Sequence, residues 1–162
     1  MTGTAAEVPR TVHLVLPAGV DDPAAPSGGN AYDRRIRAAL PAAGWAVEQI
    51  GVAGTWPRPD AAARTALDRA LAVLPDGAVV LVDGLVACGV PDVVVPHARR
   101  LAMVVLVHLP LGDESGGGDL ARGEGAVLRA ATAVVATSPW TARRVAAVHG
   151  VPAAHVHVAP PG

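Results

Sequence analysis

Two stretches of this chain contain no polar residue: 78–82 (AVVLV) and 102–107 (AMVVLV). A short, continuous apolar run rich in Val reads as a β-strand buried on both of its faces. Such strands need helices above and below them. The segments between supply helical spacing. Residues 30–43 place Tyr32, Ile36, Ala39, Leu40 and Ala43 on one face, with Gly44 positioned to close the helix and Pro41 late within it. Asp60 reads as the N-cap of a helix over 61–74 that carries Ala63, Leu67, Ala70, Leu71 and Leu74. Short helical pieces are expected at 85–89 and 92–100, and a helix at 119–130 weakened by Gly123 and Gly125. Ser138 followed by Pro139 marks the start of another, ended by Gly150. Further strands are expected at 11–16, 45–50, 132–136 and 155–158. Strand and helix alternate throughout, which predicts an α/β fold: a doubly wound, mostly parallel sheet with helices on both faces.

The length, 162 residues, suits one such domain. Residues 1–10 read as a tail, 11–158 as the domain, and 159–162 (Ala-Pro-Pro-Gly) as the start of an interdomain linker. With no Phe and 2% aromatic residues, the core falls to Val, Leu and Ala. All 13 basic residues are arginine, which removes a Walker A lysine and Schiff-base chemistry from the chain. The single cysteine, Cys88, excludes an internal disulfide and a Cys-rich zinc site. A formal charge of −1 gives no reason to expect a nucleic-acid partner. No signal peptide, spanning segment or basic amphipathic helix is evident, so a cytoplasmic protein is expected.

Ligands of open α/β sheets bind beyond the carboxyl ends of the strands. After the first strand comes the glycine loop Ser27-Gly28-Gly29-Asn30, after the third Asp83-Gly84, after the fourth His108, and after the fifth Thr137-Ser138. Two glycines ahead of a helix let backbone approach a phosphate or carboxylate, with helix N–H groups facing it. They also suit a plain flexible loop. No G-x-G-x-x-G is present, and Glu48 stands inside the second strand rather than at its end, so this is no dinucleotide fingerprint. His108 can hydrogen-bond a substrate hydroxyl, or simply satisfy local backbone. Asp83 can orient a polar substrate or cap the following segment, and Ser138 reads first as an N-cap. A Ser138-based hydrolase triad lacks the G-x-S-x-G elbow, and Pro139 removes the amide an oxyanion hole needs there. His155 and His157, two apart on an expected strand, share a face and offer a weak metal pair. Arg34, Arg35 and Arg37 can face an anionic ligand or a membrane surface, but read first as a solvated helix face.

Taken in order, these elements resemble the N-terminal domain of family 4 glycosyltransferases, which have the two-domain GT-B fold. The resemblance spans nearly the whole chain: Pro26-Ser27-Gly28-Gly29-Asn30 with Ala42-Ala43-Gly44-Trp45-Ala46-Val47, then Val107-His108-Leu109-Pro110, then Glu124 through Ala136-Thr137-Ser138, then Val156-His157-Val158-Ala159-Pro160-Pro161-Gly162. It implies a Rossmann-like half of a retaining transferase with a nucleotide-diphosphate sugar as donor and no cofactor or obligatory metal. The acceptor, a small molecule, glycan or lipid, is open. His108 would be the catalytic residue, beside the donor sugar. Gly28, Gly29, Asn30, Asp83 and Ser138 would be binding residues. The family's E-x7-E acids and basic pair belong to its C-terminal domain. None is found here, since the four glutamates are Glu7, Glu48, Glu114 and Glu124. The chain is therefore expected to be an inactive half that partners a C-terminal domain. The alternatives are a stand-alone, non-catalytic α/β binding module and a small α/β hydrolase.

Overall fold

A computed structural model of the chain describes residues 10–114 and 117–162. Residues 1–9 of the expected tail lie outside the described residues, and Arg10, its last residue, instead opens the first strand. Six strands form one sheet: β1 (Arg10–Pro17), β2 (Trp45–Val52), β3 (Val79–Asp83), β4 (Ala102–Val107), β5 (Ala133–Ala136) and β6 (Val156–Val158). Every neighbouring pair is parallel, in the order β2-β1-β3-β4-β5-β6. The helices are α1 (Gly28–Ala39), α2 (Ala61–Ala72), α3 (Gly84–Ala87), α4 (Pro91–Ala98), α5 (Leu111–Glu114), α6 (Gly118–Ala130) and α7 (Pro139–His149). This is the doubly wound α/β architecture.

Alternation along each strand divides the core in two. Val15, Val80, Val82, Met103, Val105 and Val134 join one cluster with Leu67 and Leu71 of α2, Val94 of α4, Leu128 of α6 and Val145 of α7. Leu14, Leu16, Leu81 and Leu106 point to the other side, where Tyr32 of α1 meets them. The asymmetry follows from topology. The chain leaves β1 toward β2 with α1 on one face, then crosses to β3 on the far side of β1. Right-handed crossovers put the remaining helices on the opposite face.

Local signals explain most boundaries. The Ser27 side chain accepts from Asn30 N, and the Asp60 side chain from Ala63 N, so α1 and α2 start where an N-cap supplies the missing acceptor. Helix α1 begins two residues earlier than its apolar spacing indicates, because Gly28 and Gly29 form its first turn. From Leu40 it tightens into a 3-10 turn ending at Gly44, whose φ of 83° is open to glycine. Ser138 caps α7, and Gly150 ends it in the left-handed conformation. The expected strand at 155–158 starts one residue later, since His155 closes a 3-10 turn. Between β4 and α6, where no element is expected, stands the single turn α5. No helix among the described residues is long and apolar enough to cross a membrane.

Candidate functional site

Strand order reverses between β1 and β3, and this switch point is where open α/β sheets bind ligands. A cavity of about 380 Å³ opens there. Its walls come from separate parts of the chain: Ser27, Gly28, Gly29 and Asn30 at the start of α1, Asp83 at the end of β3, and His108 just after β4. Parallel register sets the depth, with Val15 opposite Val82 and Asp83 opposite Leu106. Five of the six expected site residues, His108 among them, therefore converge. Ser138 is the exception and lies outside the cavity's lining. Its hydroxyl is engaged with the amide and hydroxyl of Thr141, at 3.0 and 2.9 Å.

His108 is held from several sides. Its Nε2 lies 3.1 Å from Asp33 Oδ1. The Tyr32 ring meets the imidazole edge to face, with centroids 5.3 Å apart. Its backbone carbonyl accepts from the hydroxyls of Thr137 and Thr141. Gly29 completes the seat: a Cβ there would stand 3.3 Å from Cδ2 of the ring. Gly29 and Asp33 are one helical turn apart on α1. The bare residue admits the imidazole and the acidic one binds it.

Asp33 is fully buried, and its Oδ2 finds no donor among the described residues. Asp83 is buried beside it and spends Oδ1 on the amide of Leu85 at 2.6 Å, the N-cap of α3. Burial, and next the negative charge of Asp33, push the Asp83 carboxyl up to about 7, against the lowering effects of His108 and the Leu85 amide. The two carboxyl groups stand within hydrogen-bonding reach, so a proton on Asp83 supplies the donor that Asp33 lacks. Below neutrality Asp83 is an acid that can donate a hydrogen bond; above it, a second buried anion. Asp33, Asp83 and His108 each offer one ligand atom, all within 4.8 Å of one another.

Glu124 closes the far wall. Its Oε1 accepts from Leu111 N at 2.9 Å, and Oε2 faces His149 Nε2 at 2.9 Å. Both residues of this pair are buried. The carboxylate fixes the α5 turn over the cavity and ties α6 to α7. Asn30 donates from Nδ2 to the carbonyl of Ala25, bracing the loop before α1.

The three arginines of α1 are not a merely solvated face. Arg34 donates to Val20 O, Arg35 to Gly162 O, and Arg37 to the carboxylate of Asp21. They clasp the segments around α1, because long guanidinium side chains reach backbone carbonyls across a helix face. Glu48 pairs with His13, its register partner on β1, at 3.1 Å. His155 and His157 are both exposed and belong to no ligand cluster among the described residues. Cys88 is buried, and burial pushes its thiol well up, away from thiolate chemistry.

Sequence reading does not single out Asp33, Tyr32 or Thr141 as site residues, and it names Thr137 only as a polar residue at a strand end. No local signal marks Asp33, which faces inward to meet the distant His108. No family model matches this chain. No curated protein matches it either.

Proposed function

We propose that this chain is the N-terminal, acceptor-side domain of a retaining glycosyltransferase that moves a sugar from a nucleotide-diphosphate sugar to an acceptor hydroxyl. One observation carries the reading. Two motifs of the resemblance far apart in the chain, the Ser27–Asn30 loop and His108, meet in one cavity at the switch point of a parallel sheet, with Gly29 bare where the imidazole fits. That is a place built for a polar ligand, walled by apolar strand ends and furnished with a few fixed polar groups.

The chemistry follows from the groups present. The first-turn amides of α1 suit an anionic oxygen such as a diphosphate oxygen. His108, fixed by Asp33 and Tyr32, offers a sugar hydroxyl a hydrogen-bonding group whose orientation is set in advance, so little ordering remains at the moment of reaction. Asp83 faces the same space and can give or accept a hydrogen bond according to its protonation. These groups make one wall. Holding donor and acceptor in line needs an opposing wall, which a second domain would supply, so the 162 residues alone should show no turnover.

The test is sugar transfer by the gene product as it occurs in its cell. Radiolabelled uridine- and guanosine-diphosphate sugars are offered with an extract of the source cells as the acceptor pool. The reading expects label to appear in an acceptor fraction, and His108→Ala to lower the rate by about 100-fold with the fold intact. Transfer that ignores His108→Ala, or turnover by the isolated 162 residues, would overturn it.

A further inference from the structure

We propose that Asp33, Asp83 and His108 form a binding site for one first-row divalent cation, Mn²⁺ or Zn²⁺. The inference does not rest on the sugar-transfer reading, and it goes beyond it, since the resemblance implies no metal.

Three observations support the site. First, the donor atoms are already gathered: one from each residue, all within 4.8 Å. His108 Nε2 and Asp33 Oδ1 are 3.1 Å apart, close to the spacing of neighbouring ligands around an ion with bonds of about 2.1 Å. Second, Asp33 is wholly buried, yet its Oδ2 has no hydrogen-bond donor among the described residues. A buried carboxylate oxygen left without a partner is rare and calls for an ion or a proton. Third, no guanidinium among the described residues pairs with either carboxyl group. The arginine–carboxylate pairs of the described residues engage Asp21, Asp92, Asp76, Asp119 and Asp113, and none reaches Asp33 or Asp83. Two carboxylates and a neutral imidazole around a divalent cation make a neutral cluster.

The donor set selects the metal. Two carboxylates suit Mn²⁺, while an imidazole nitrogen favours Zn²⁺ and other borderline cations over Mg²⁺ and Ca²⁺. Three protein ligands leave coordination positions open, and Asp83 and His108 line the cavity. The open positions would accept a phosphate or carboxylate oxygen of a ligand bound there. Asp83 keeps one oxygen on the Leu85 amide, which orients its carboxylate as outer partners orient metal ligands.

The test uses the chain and the metals alone. Mn²⁺ binding is followed by loss of the free-ion paramagnetic resonance signal, and Zn²⁺ binding by calorimetry. One equivalent should bind to the wild-type chain, and Asp33→Asn and Asp83→Asn should each weaken binding at least about tenfold. Asparagine at 83 retains an oxygen to cap Leu85. A second readout needs no variant. Mn²⁺ should broaden the NMR resonances of Gly29, Asp83 and His108 before any others. No saturable binding of either metal at millimolar concentration would overturn the proposal. So would binding that both substitutions leave unchanged, or broadening centred on His155 and His157.

Discussion

A side chain on Gly29 would press on the imidazole of His108, whose nearest atom lies 3.3 Å from where a Cβ would stand. The imidazole can yield by a few tenths of an ångström. A Cβ on Gly84 would instead meet the Leu106 carbonyl oxygen at 2.8 Å, and that oxygen belongs to a strand. The two substitutions should therefore behave differently. Gly29→Ala should shift the His108 ring resonances while leaving the melting temperature nearly unchanged. Gly84→Ala should cost about 1–3 kcal/mol in denaturant unfolding, through backbone displacement. Equal destabilisation would contradict this account of the seat. Asp83 carries a prediction in pH. Its carboxyl is raised from 3.8 to about 7 in the fold, so the folded chain binds the extra proton. The stability this contributes is complete below the unfolded value of 3.8 and is lost as pH rises through about 7. Asp83→Asn removes the titrating group and keeps the cap. The wild-type melting temperature should fall relative to the variant between about pH 4 and about pH 8, and parallel curves would refute it. His108, Asp83 and the paired glycines could be read from sequence because each follows a strand or opens a helix, where position alone indicates exposure at one sheet edge. Asp33 could not. A polar residue inside an amphipathic helix ordinarily faces water, and only the distant His108 makes it an inward one.

Helix α6 shows why its two glycines read as weaknesses and act as fittings. A Cβ on Gly123 would stand 3.0 Å from the Cys88 carbonyl oxygen, so α6 lies close against the α3 turn. A Cβ on Gly125 would stand 3.0 Å from His149 Nδ1, so the bare position lets α7 bring its histidine to Glu124. Propensity registers the cost of glycine in a helix, and tertiary packing decides that it stays. Glu124→Ala tests the junction. It strands the His149 ring and the Leu111 amide, each buried polar group costing about 1–3 kcal/mol when left unpaired. Urea unfolding should show a loss in that range or above, and hydrogen exchange should speed at Leu111. A neutral substitution would mean that the pair holds nothing. The strands at 102–107 and 79–83 were the most legible elements, since unbroken apolar runs allow few alternatives. The α5 turn was the least legible. Its fixing group, Glu124, lies thirteen residues downstream of Leu111, beyond any local signal.

Taken together, the molecule places chemistry where its topology reverses. The order β2-β1-β3-β4-β5-β6 puts β1 between the two directions of winding, and the cavity opens beside it. Topology also leaves the α1 face of the sheet thinly covered. Val12, Leu81, Val104, Leu106 and Val135 border an apolar recess of about 270 Å³ beyond α1. Alternation and order of elements made the doubly wound class readable. The bareness of that face was not readable, because it depends on which crossovers share a side.

The central claim is that the cavity between α1, β3 and β4 handles a nucleotide-diphosphate sugar. The most direct measurement is an NMR titration of the isotopically labelled chain with uridine- and guanosine-diphosphate sugars at millimolar concentration. Saturable shifts should concentrate at Ser27–Asn30, Asp83 and His108, and His108→Ala should weaken them. Shifts centred elsewhere, or no shifts with any donor, would contradict the account.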